Sequence, residues 1–306
     1  MKLRILFCLL LSVGPVLGGL EKYTPLIKAD PLPAASALGR GVRITYLGTN
    51  AYLLETRDTV ILIDPYFSRQ SLLRTALKLE PVGETNLVAQ WLRDHRKIDA
   101  ILVTHGHIDH LFDVPQIARA TGATIIASAT SVKLVESVGI SAKQTRVVRP
   151  GSRIAIKNAV IHVFSAEHDR IFGVVPFNTP PKHLPPRKIS DWVTGEPLAF
   201  LIEMGGKRIF INSGGRADKP VSLHSAPVDL AIVGVASGDA IGAFSQTIAQ
   251  LHPRYILPSH QDDFFRPLRR GFVFLPLTNF PKVQRAAAEN RGQLILLDYF
   301  RPWTLR

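Results

Sequence analysis

The strongest constraint on this chain is a cluster of metal-ligand residues directly after a short apolar run. The run Ile101-Leu102-Val103 is followed by Thr104-His105-Gly106-His107-Ile108-Asp109-His110. If the run is a strand that continues to its end, His105 and His107 project to the same side, and Asp109 and His110 lie in the turn beyond it. Imidazole nitrogen and carboxylate oxygen are ligands that zinc and the neighbouring transition metals accept. The segment predicts a metal site at the end of a strand, with a histidine-rich surface loop as the alternative.

Length and composition are compatible with one large domain or two. The chain has 306 residues, of which 46% are hydrophobic, and this is enough for a substantial core and excludes a disordered chain. Strand and helix patterns alternate without a linker, so we predict one mixed α/β domain over residues 20–306. The predicted strands are 42–47, 51–55, 59–63, 100–103, 124–127, 146–148, 152–156, 160–164, 198–204, 207–211, 230–235, 255–257 and 294–297, and the predicted helices are 86–95, 114–120 (capped by Asp113), 131–138, 244–251 and 281–290.

The first 19 residues have the pattern of a secretory signal peptide. The basic residues Lys2 and Arg4 precede an apolar stretch that ends in Gly18-Gly19. We therefore predict a signal peptide over residues 1–19 and a periplasmic or secreted mature protein, with an uncleaved membrane anchor as the alternative. The single cysteine, Cys8, lies within this segment. The mature chain would thus have no thiol for a disulfide, a nucleophile or a metal ligand.

The charge of the chain favours anionic partners. The formal net charge is +13, and removal of Lys2 and Arg4 with the signal peptide lowers it by two. Phosphate esters, anionic lipid headgroups and nucleic acid all fit such a surface, and a solvated basic face is the alternative. Nucleic acid is the least favoured of these partners, because no basic motif is interleaved with aromatic residues. The sequence does not indicate an oligomeric state.

Residues 169–196 interrupt the alternation of strands and helices with a proline-rich stretch. Five prolines in this stretch accompany Phe172, Phe177 and the basic residues of 182–188. Long loops within a domain are often functional, so a lid over the site and a proline-stiffened surface excursion are both open. The two phenylalanines and the basic residues could also contact a lipid surface, as a peripheral membrane attachment.

The motif cannot complete a metal site alone, because a catalytic zinc ion needs about three protein ligands. His168 follows the predicted strand 160–164, and His260 follows the predicted strand 255–257, so both leave strand ends as the first motif does. They are therefore the best additional ligands. A surface or core hydrogen-bonding role is predicted for His162, His183, His224 and His252.

Together these features resemble the metallo-β-lactamase-fold hydrolase superfamily over residues 42–298. The resemblance rests on HxHxDH after a strand, on a later strand-end histidine, and on the final histidine in Ile256-Leu257-Pro258-Ser259-His260. The Gly48-Thr49-Asn50 segment and the Ile61-Leu62-Ile63-Asp64-Pro65 segment are most similar to the branch with ascorbate-phosphate lactonases and N-acylphosphatidylethanolamine phospholipases D. The resemblance implies a four-layer αββα sandwich with the metals at one edge between two sheets.

The resemblance also implies a ligand set. His105, His107 and His168 would hold one metal ion, and Asp109, His110 and His260 would hold the other. The ions would be Zn²⁺, in one or two copies, with Mn²⁺ or Fe²⁺ as alternatives. Asp64 would be the supporting carboxylate that orients a ligand histidine, and a strand-end turn cap is its alternative role.

The chain departs from the superfamily at the expected bridging aspartate. The strand 208–211 continues into Asn212-Ser213-Gly214-Gly215, and Gly214, or Ser213 with a one-residue shift, stands where the carboxylate is expected. Asp218 is a candidate substitute, although it lies four residues further on. Without a bridging negative charge, we expect tight binding at His105, His107 and His168 and weaker binding at the second set.

The resemblance therefore implies a metal-dependent hydrolase. A metal-bound hydroxide would attack a phosphodiester, a phospholipid or a lactone, and Asp109 would orient the attacking water. The substrate would be a small molecule or a lipid ester, with a negative charge. The alternative is a degenerate member that binds a ligand or an anionic surface without turnover, which the missing bridge favours.

Overall fold

The strands of the chain pair into two mixed sheets. The computed structural model describes residues 19–31, 40–171, 173–214, 227–236 and 240–306. The predicted signal peptide up to residue 18, Phe172, Asp218 and His224 therefore lie outside the described residues. Within the described ranges, each sheet contains seven strands. The α/β class predicted from the sequence is confirmed.

The first sheet combines antiparallel hairpins with a parallel half. Its strands follow the order β14-β1-β2-β3-β4-β5-β6. Strands β14, β1, β2 and β3 pair antiparallel, whereas β3 to β6 pair parallel. The bounds are β1 Val42–Gly48, β2 Ala51–Glu55, β3 Val60–Ile63, β4 Ala100–Leu102, β5 Thr124–Ala127, β6 Thr145–Val147 and β14 Trp303–Leu305.

The second sheet has the same division into halves. Its order is β13-β12-β11-β10-β9-β8-β7, with antiparallel pairing from β7 to β10 and parallel pairing from β10 to β13. The bounds are β7 Arg153–Ile156, β8 Ala159–Ser165, β9 Leu198–Met204, β10 Lys207–Asn212, β11 Leu230–Gly234, β12 Tyr255–Ser259 and β13 Gln293–Leu294.

Helices connect the parallel strands and cover the outer faces of the sheets, which gives the predicted four-layer sandwich. Their burial follows helical spacing: in Val114–Thr121 the side chains of Val114, Ile117 and Ala118 are buried. The helices are α1 Leu72–Ala76, α2 Thr85–Leu92, α3 Ile108–Leu111, α4 Val114–Thr121, α5 Ala129–Ser137, α6 Ala240–Leu251 and α7 Phe280–Ala288. None of the helices described is long and apolar enough to cross a membrane.

The core lies between the two sheets. Central strands such as β11 are buried along their whole length, as expected for strands covered on both faces. In β8, burial alternates instead, and His162 lies on the partly exposed face with its ring 3.4 Å from the Glu203 carboxylate. The strands β3, β4, β8 and β12 all end at the same edge of the sandwich, and the candidate ligands follow these ends.

Several local predictions are wrong. Asp109 and His110 lie in the short helix α3 and not in a turn, and the helix α1 and the strand β14 have no predicted counterpart. The Asp113 carboxylate does not cap α4: it accepts hydrogen bonds from the backbone N–H groups of Phe67 and Ser68 and from the Ser68 hydroxyl. The strand predicted over 294–297 ends at Leu294, because only Gln293 and Leu294 pair with β12.

Candidate metal centre

The first two ligand histidines meet through a tight turn and not through strand alternation. Strand β4 ends at Leu102, so His105 and His107 lie beyond the strand and the alternation of side chains along a strand does not apply to them. The turn instead brings His105 Nε2 to 3.0 Å from His107 Nδ1. Between them, the Gly106 N–H donates to the Thr194 carbonyl, and a Cβ at Gly106 would lie 2.5 Å from the Val193 carbonyl oxygen. Only glycine fits this turn without displacing the neighbouring backbone.

The six predicted ligands form two adjoining groups. One group is His105, His107 and His168, and the other is Asp109, His110 and His260; within each group the ligand atoms lie within 4.8 Å of one another. The groups adjoin because the rings of His105 and His110 have centroids 4.0 Å apart. The structure thus brings residues from three distant parts of the chain together in the pairing that the resemblance implies.

Hydrogen bonds fix which nitrogen each histidine of the first group can offer to a metal. The Nε2 of His107 is 2.9 Å from the Pro176 carbonyl oxygen, and the Nδ1 of His168 is 2.7 Å from the Asp169 carbonyl oxygen. A carbonyl only accepts, so both of these nitrogens carry the proton. The lone pairs are then on His107 Nδ1 and His168 Nε2, which is the second-shell arrangement typical of metal-ligating histidines.

Burial keeps the imidazoles of the first group neutral. Burial, followed by repulsion from the neighbouring imidazoles, holds the pKa of His105 well below its ordinary value. Burial and His168 lower the pKa of His107 to about 3, and burial lowers that of His168 to about 4. Neutral imidazoles bind metals, whereas protonated ones do not. The donor set therefore fits a divalent transition metal.

The second group contains one carboxylate between two histidines. Asp109 Oδ2 lies 3.1 Å from His260 Nε2 and 3.5 Å from His110 Nε2. Burial alone would lower the pKa of His110, but the carboxylates of Asp109 and Asp64 outweigh it and raise that pKa to about 10. In the absence of metal, a proton on His110 would thus compete with a cation for the same nitrogen.

Asp64 contacts the second group through the His110 ring. It is completely buried at the end of β3 and has a positive φ of 41°. Its carboxylate accepts from Asn50 Nδ2 at 2.8 Å, from the Thr104 backbone N–H at 2.8 Å and from the Thr104 hydroxyl at 2.5 Å, and it lies 2.8 Å from His110 Nδ1. The other nitrogen of His110, Nε2, therefore faces Asp109 and the metal position. Asp64 thus contacts the ring of a candidate ligand, as the predicted supporting carboxylate would.

No carboxylate follows β10 at the expected bridge. Ser213 places its hydroxyl 3.4 Å from His105 Nδ1, which is a contact to a ligand ring and not to a metal position. Gly214 has a φ of 136°, and a Cβ built there would lie 2.5 Å from Asp169 Oδ2. Asp169 is outside both ligand groups among the described residues. A larger side chain at this position would have to displace the Asp169 carboxylate and adopt a backbone conformation that residues with a side chain rarely adopt.

Substitution of Gly214 by aspartate is expected to destabilise the protein without tightening the second metal ion. The backbone conformation and the contact with Asp169 oppose it, so we expect the free energy of unfolding to fall by about 1–3 kcal/mol. Urea unfolding and stepwise zinc affinities measure both effects. Gly151→Asp is the matched control, because Gly151 also has a positive φ but has open space around it. A tighter second ion in Gly214→Asp would contradict this account.

The proline-rich segment forms a wall of the site. The Thr194 hydroxyl lies 2.7 Å from His107 Nε2 and 3.0 Å from the Pro176 carbonyl oxygen, and the Phe177 ring is edge-on to the His107 ring. The hydroxyl therefore accepts from His107 and donates to Pro176. The segment holds a ligand in place, a role that neither a lid nor a surface excursion describes fully.

Sequence reasoning missed most of the groups that orient the ligands. These contacts come from residues distant in sequence or from backbone atoms, namely Asn50, Thr104, Thr194 and Pro176. Only Thr104 could have been noticed from the sequence, because it is next to His105. Three of the other histidines predicted to form hydrogen bonds, His162, His183 and His252, lie outside the two groups, and His183 Nδ1 is 3.0 Å from Asp191 Oδ2.

Comparisons with known proteins show a family match over the part of the chain that contains the candidate ligands. The sequence pattern of the beta-lactamase superfamily domain matches residues 43–260, which include all six candidate ligands. A UPF0173 metal-dependent hydrolase from Heliobacterium modesticaldum is 28% identical over 235 residues, covering 73% of this chain and 84% of the relative.

Solved structures show the same fold at lower identity. Igni18, a metallo hydrolase from Ignicoccus hospitalis, superposes with a TM-score of 0.58 at 18% identity, covering 87% of this chain and 98% of that protein. An isothiocyanate hydrolase from Delia radicum gut bacteria superposes with a TM-score of 0.56 at 14% identity, covering 86% of this chain and 99% of that protein. At these identities, the likeness establishes the fold alone.

Proposed function

Because this chain belongs to the beta-lactamase superfamily domain family and is a metal-dependent hydrolase of the metallo-β-lactamase fold, we propose that it cleaves anionic esters with zinc at the two ligand groups. The proposed substrates are phosphodiesters, phospholipids and negatively charged lactones. The identity of the metal and the chemical class of the substrate are the parts that this proposal adds to the family assignment.

The observation that carries the proposal is the adjacency of the two ligand groups. Five histidines and one aspartate converge at one edge of the sandwich, and the rings of His105 and His110 join the groups. Nitrogen and oxygen donors without sulfur suit zinc, and manganese or iron are the alternatives. Divalent ions, when bound at neighbouring positions, supply activated water and stabilise the negative charge that develops on the ester.

The residues of the chain supply the remaining parts of the reaction. Asp109 is the only carboxylate in the two groups formed by the described residues, and its side chain is 14% exposed. It is therefore placed to orient an attacking water. His168 is also partly exposed, so solvent reaches the site at Asp109 and at His168. Thr194 and Pro176 hold the His107 ring through its Nε2.

The anionic character of the substrate is supported by the charge of the chain. A formal net charge of +13 attracts anionic substrates and raises the rate of their encounter with the protein. Phosphodiesters, phospholipids and charged lactones share both the negative charge and an electrophilic centre that water can attack. Their relative rates would identify the preferred class.

A turnover assay on three substrates tests this proposal. Metal-free protein would be supplied with zinc or manganese and given a chromogenic phosphodiester, a dispersed phospholipid and a negatively charged lactone. We expect turnover of at least one of them only after metal is added, with a rate that falls as salt screens the basic surface. Protein that binds zinc but cleaves none of the three would contradict the proposed substrate class.

A further inference from the structure

His260 is the ligand histidine whose ring has the least direct support. In the other four ligand histidines, the nitrogen that faces away from the metal position has a hydrogen-bonding partner, as for His107, His110 and His168 above and for His105 Nδ1, 3.2 Å from the Thr104 hydroxyl. His260 Nδ1 is buried and has no partner among the described residues. Apart from the edge-on contact with the Phe264 ring and the contact of Nε2 with Asp109, the orientation of this ring depends on the backbone that carries it.

The backbone of His260 has a conformation that its surroundings must impose. Its φ of 55° lies in the left-handed region, which residues with a side chain rarely adopt. Its N–H donates to the Thr49 carbonyl at 2.8 Å. Thr49 itself has a φ of 57°, so two unusual turns face each other at this end of β12.

A buried carboxylate two residues further on joins these turns. Asp262 is completely buried, and its Oδ1 accepts from the Tyr46 hydroxyl at 2.8 Å and from the Thr49 backbone N–H at 2.9 Å. Its Oδ2 accepts from Arg69 Nη2 at 2.6 Å and from the Tyr299 hydroxyl at 2.5 Å. Thr49 thus binds the 260–262 segment twice, through its carbonyl to His260 and through its N–H to Asp262.

Arg69 holds the other side of the same segment. Its Nη1 donates to the Asp263 carbonyl at 3.1 Å and to the Arg266 carbonyl at 3.4 Å, while its Nη2 pairs with Asp262. The side chain is 2% exposed, so the ion pair is shielded from water. A buried ion pair whose carboxylate also accepts hydrogen bonds from Tyr46, Thr49 and Tyr299 restricts the segment to one arrangement.

We propose that Asp262, paired with Arg69, is a positioning residue for the second metal ion: it holds the 260–263 segment so that His260 Nε2 faces Asp109. Neither Asp262 nor Arg69 belongs to a ligand group. The inference rests on the proposed metal role of His260. It assigns to this buried network a specific effect on one of two metal positions, in addition to any effect on folding.

The test compares stepwise zinc affinities in the full-length protein and its Asp262→Asn variant. Competition with a chromophoric chelator gives each affinity, and cobalt substitution gives an absorption spectrum that reports ligand geometry. We expect Asp262→Asn to weaken the second zinc ion by about 10–100-fold, to change the first by less than about threefold, and to alter the cobalt spectrum. Asp113→Asn is the matched control: it also removes a buried carboxylate charge, but that carboxylate binds Phe67 and Ser68, next to Arg69, and makes no hydrogen bond to the 260–263 segment.

The remaining outcomes each decide the question. A folded Asp262→Asn variant with both wild-type affinities would overturn the positioning role alone. Equal weakening of both ions, together with the same weakening in Asp113→Asn, would show a general structural effect and would also overturn it. If Asp262→Asn does not fold, Tyr299→Phe is used instead, because it removes one of the four hydrogen-bond donors to Asp262 and keeps the ion pair with Arg69. An unchanged affinity for the second zinc ion in Tyr299→Phe would refute the inference. Wild-type protein that binds no second ion would refute the metal role of His260 itself.

Discussion

Replacement of His107 by alanine is expected to lower metal-dependent turnover at least about a hundredfold, more than the loss of a single second-shell contact usually costs. His107 lies in the first ligand group, and its Nδ1 faces His105 Nε2 at 3.0 Å. The substitution removes one of three ligands and leaves the Thr194 hydroxyl and the Pro176 carbonyl without the ring that they contact. Turnover and zinc content measured on the same preparation would give the effect.

His162→Ala is the matched control for this substitution. His162 lies on the partly exposed face of β8 and contacts Glu203, away from both ligand groups. Its removal is expected to leave turnover and zinc content within about twofold of the wild-type values, because exposed ion pairs contribute little. Turnover that survives His107→Ala, with zinc content unchanged, would exclude the proposed metal chemistry.

Replacement of Asp64 by alanine is expected to have the second largest effect, on both stability and metal binding. The substitution leaves buried donors from Asn50, Thr104 and His110 without their acceptor. We expect the free energy of unfolding to fall by about 3 kcal/mol or more, and zinc affinity in the second group to fall by about 10–100-fold. Urea unfolding of the metal-free protein and chelator competition measure the two effects separately.

Asp64→Asn separates these contributions. The amide keeps the size of the side chain and one acceptor oxygen, so it should restore part of the stability that alanine loses. It cannot provide the negative charge that pairs with His110, so the second metal should still bind more weakly than in the wild type. If both variants bind the second zinc ion with the wild-type affinity, Asp64 is only a turn residue, which is the alternative interpretation of the sequence.

The convergence of the six candidate ligands could be predicted because strand ends are visible in the sequence, and their division into two groups followed from the resemblance. His168 and His260 each follow a short apolar run, as His105 does, and strands of one sandwich end at a common edge. The fold class followed from the same alternation of strands and helices. Short elements could not be predicted: the α3 helix over Asp109 and His110 was missed, because four residues are too few for a periodic pattern.

The contacts that orient the ligands could not be predicted, because they join residues far apart in the chain. Thr194 reaches His107 across 87 positions, and Asp262 reaches Tyr46 across 216. Neither residue type nor local spacing indicates such pairs. The turn at Gly106 shows a related limit: the two histidines do converge, but for a different physical reason from the alternation that we assumed.

The absence of a carboxylate at Ser213 and Gly214 has a clear consequence for the two ions. A bridging carboxylate would bring negative charge between two cations, and without it each ion depends on its own group. The first group has three neutral imidazoles, whereas in the second a proton on His110 competes with the metal. Unequal affinities, tighter for the first group, follow from both features.

The most direct test of the central claim is anomalous diffraction at the zinc edge from crystals of the zinc-loaded protein. We expect one strong peak about 2.0–2.1 Å from nitrogens of His105, His107 and His168. A weaker peak should lie among Asp109, His110 and His260. Zinc bound elsewhere, or no zinc at the His105, His107 and His168 group, would contradict the assignment of this edge of the sandwich as the metal centre.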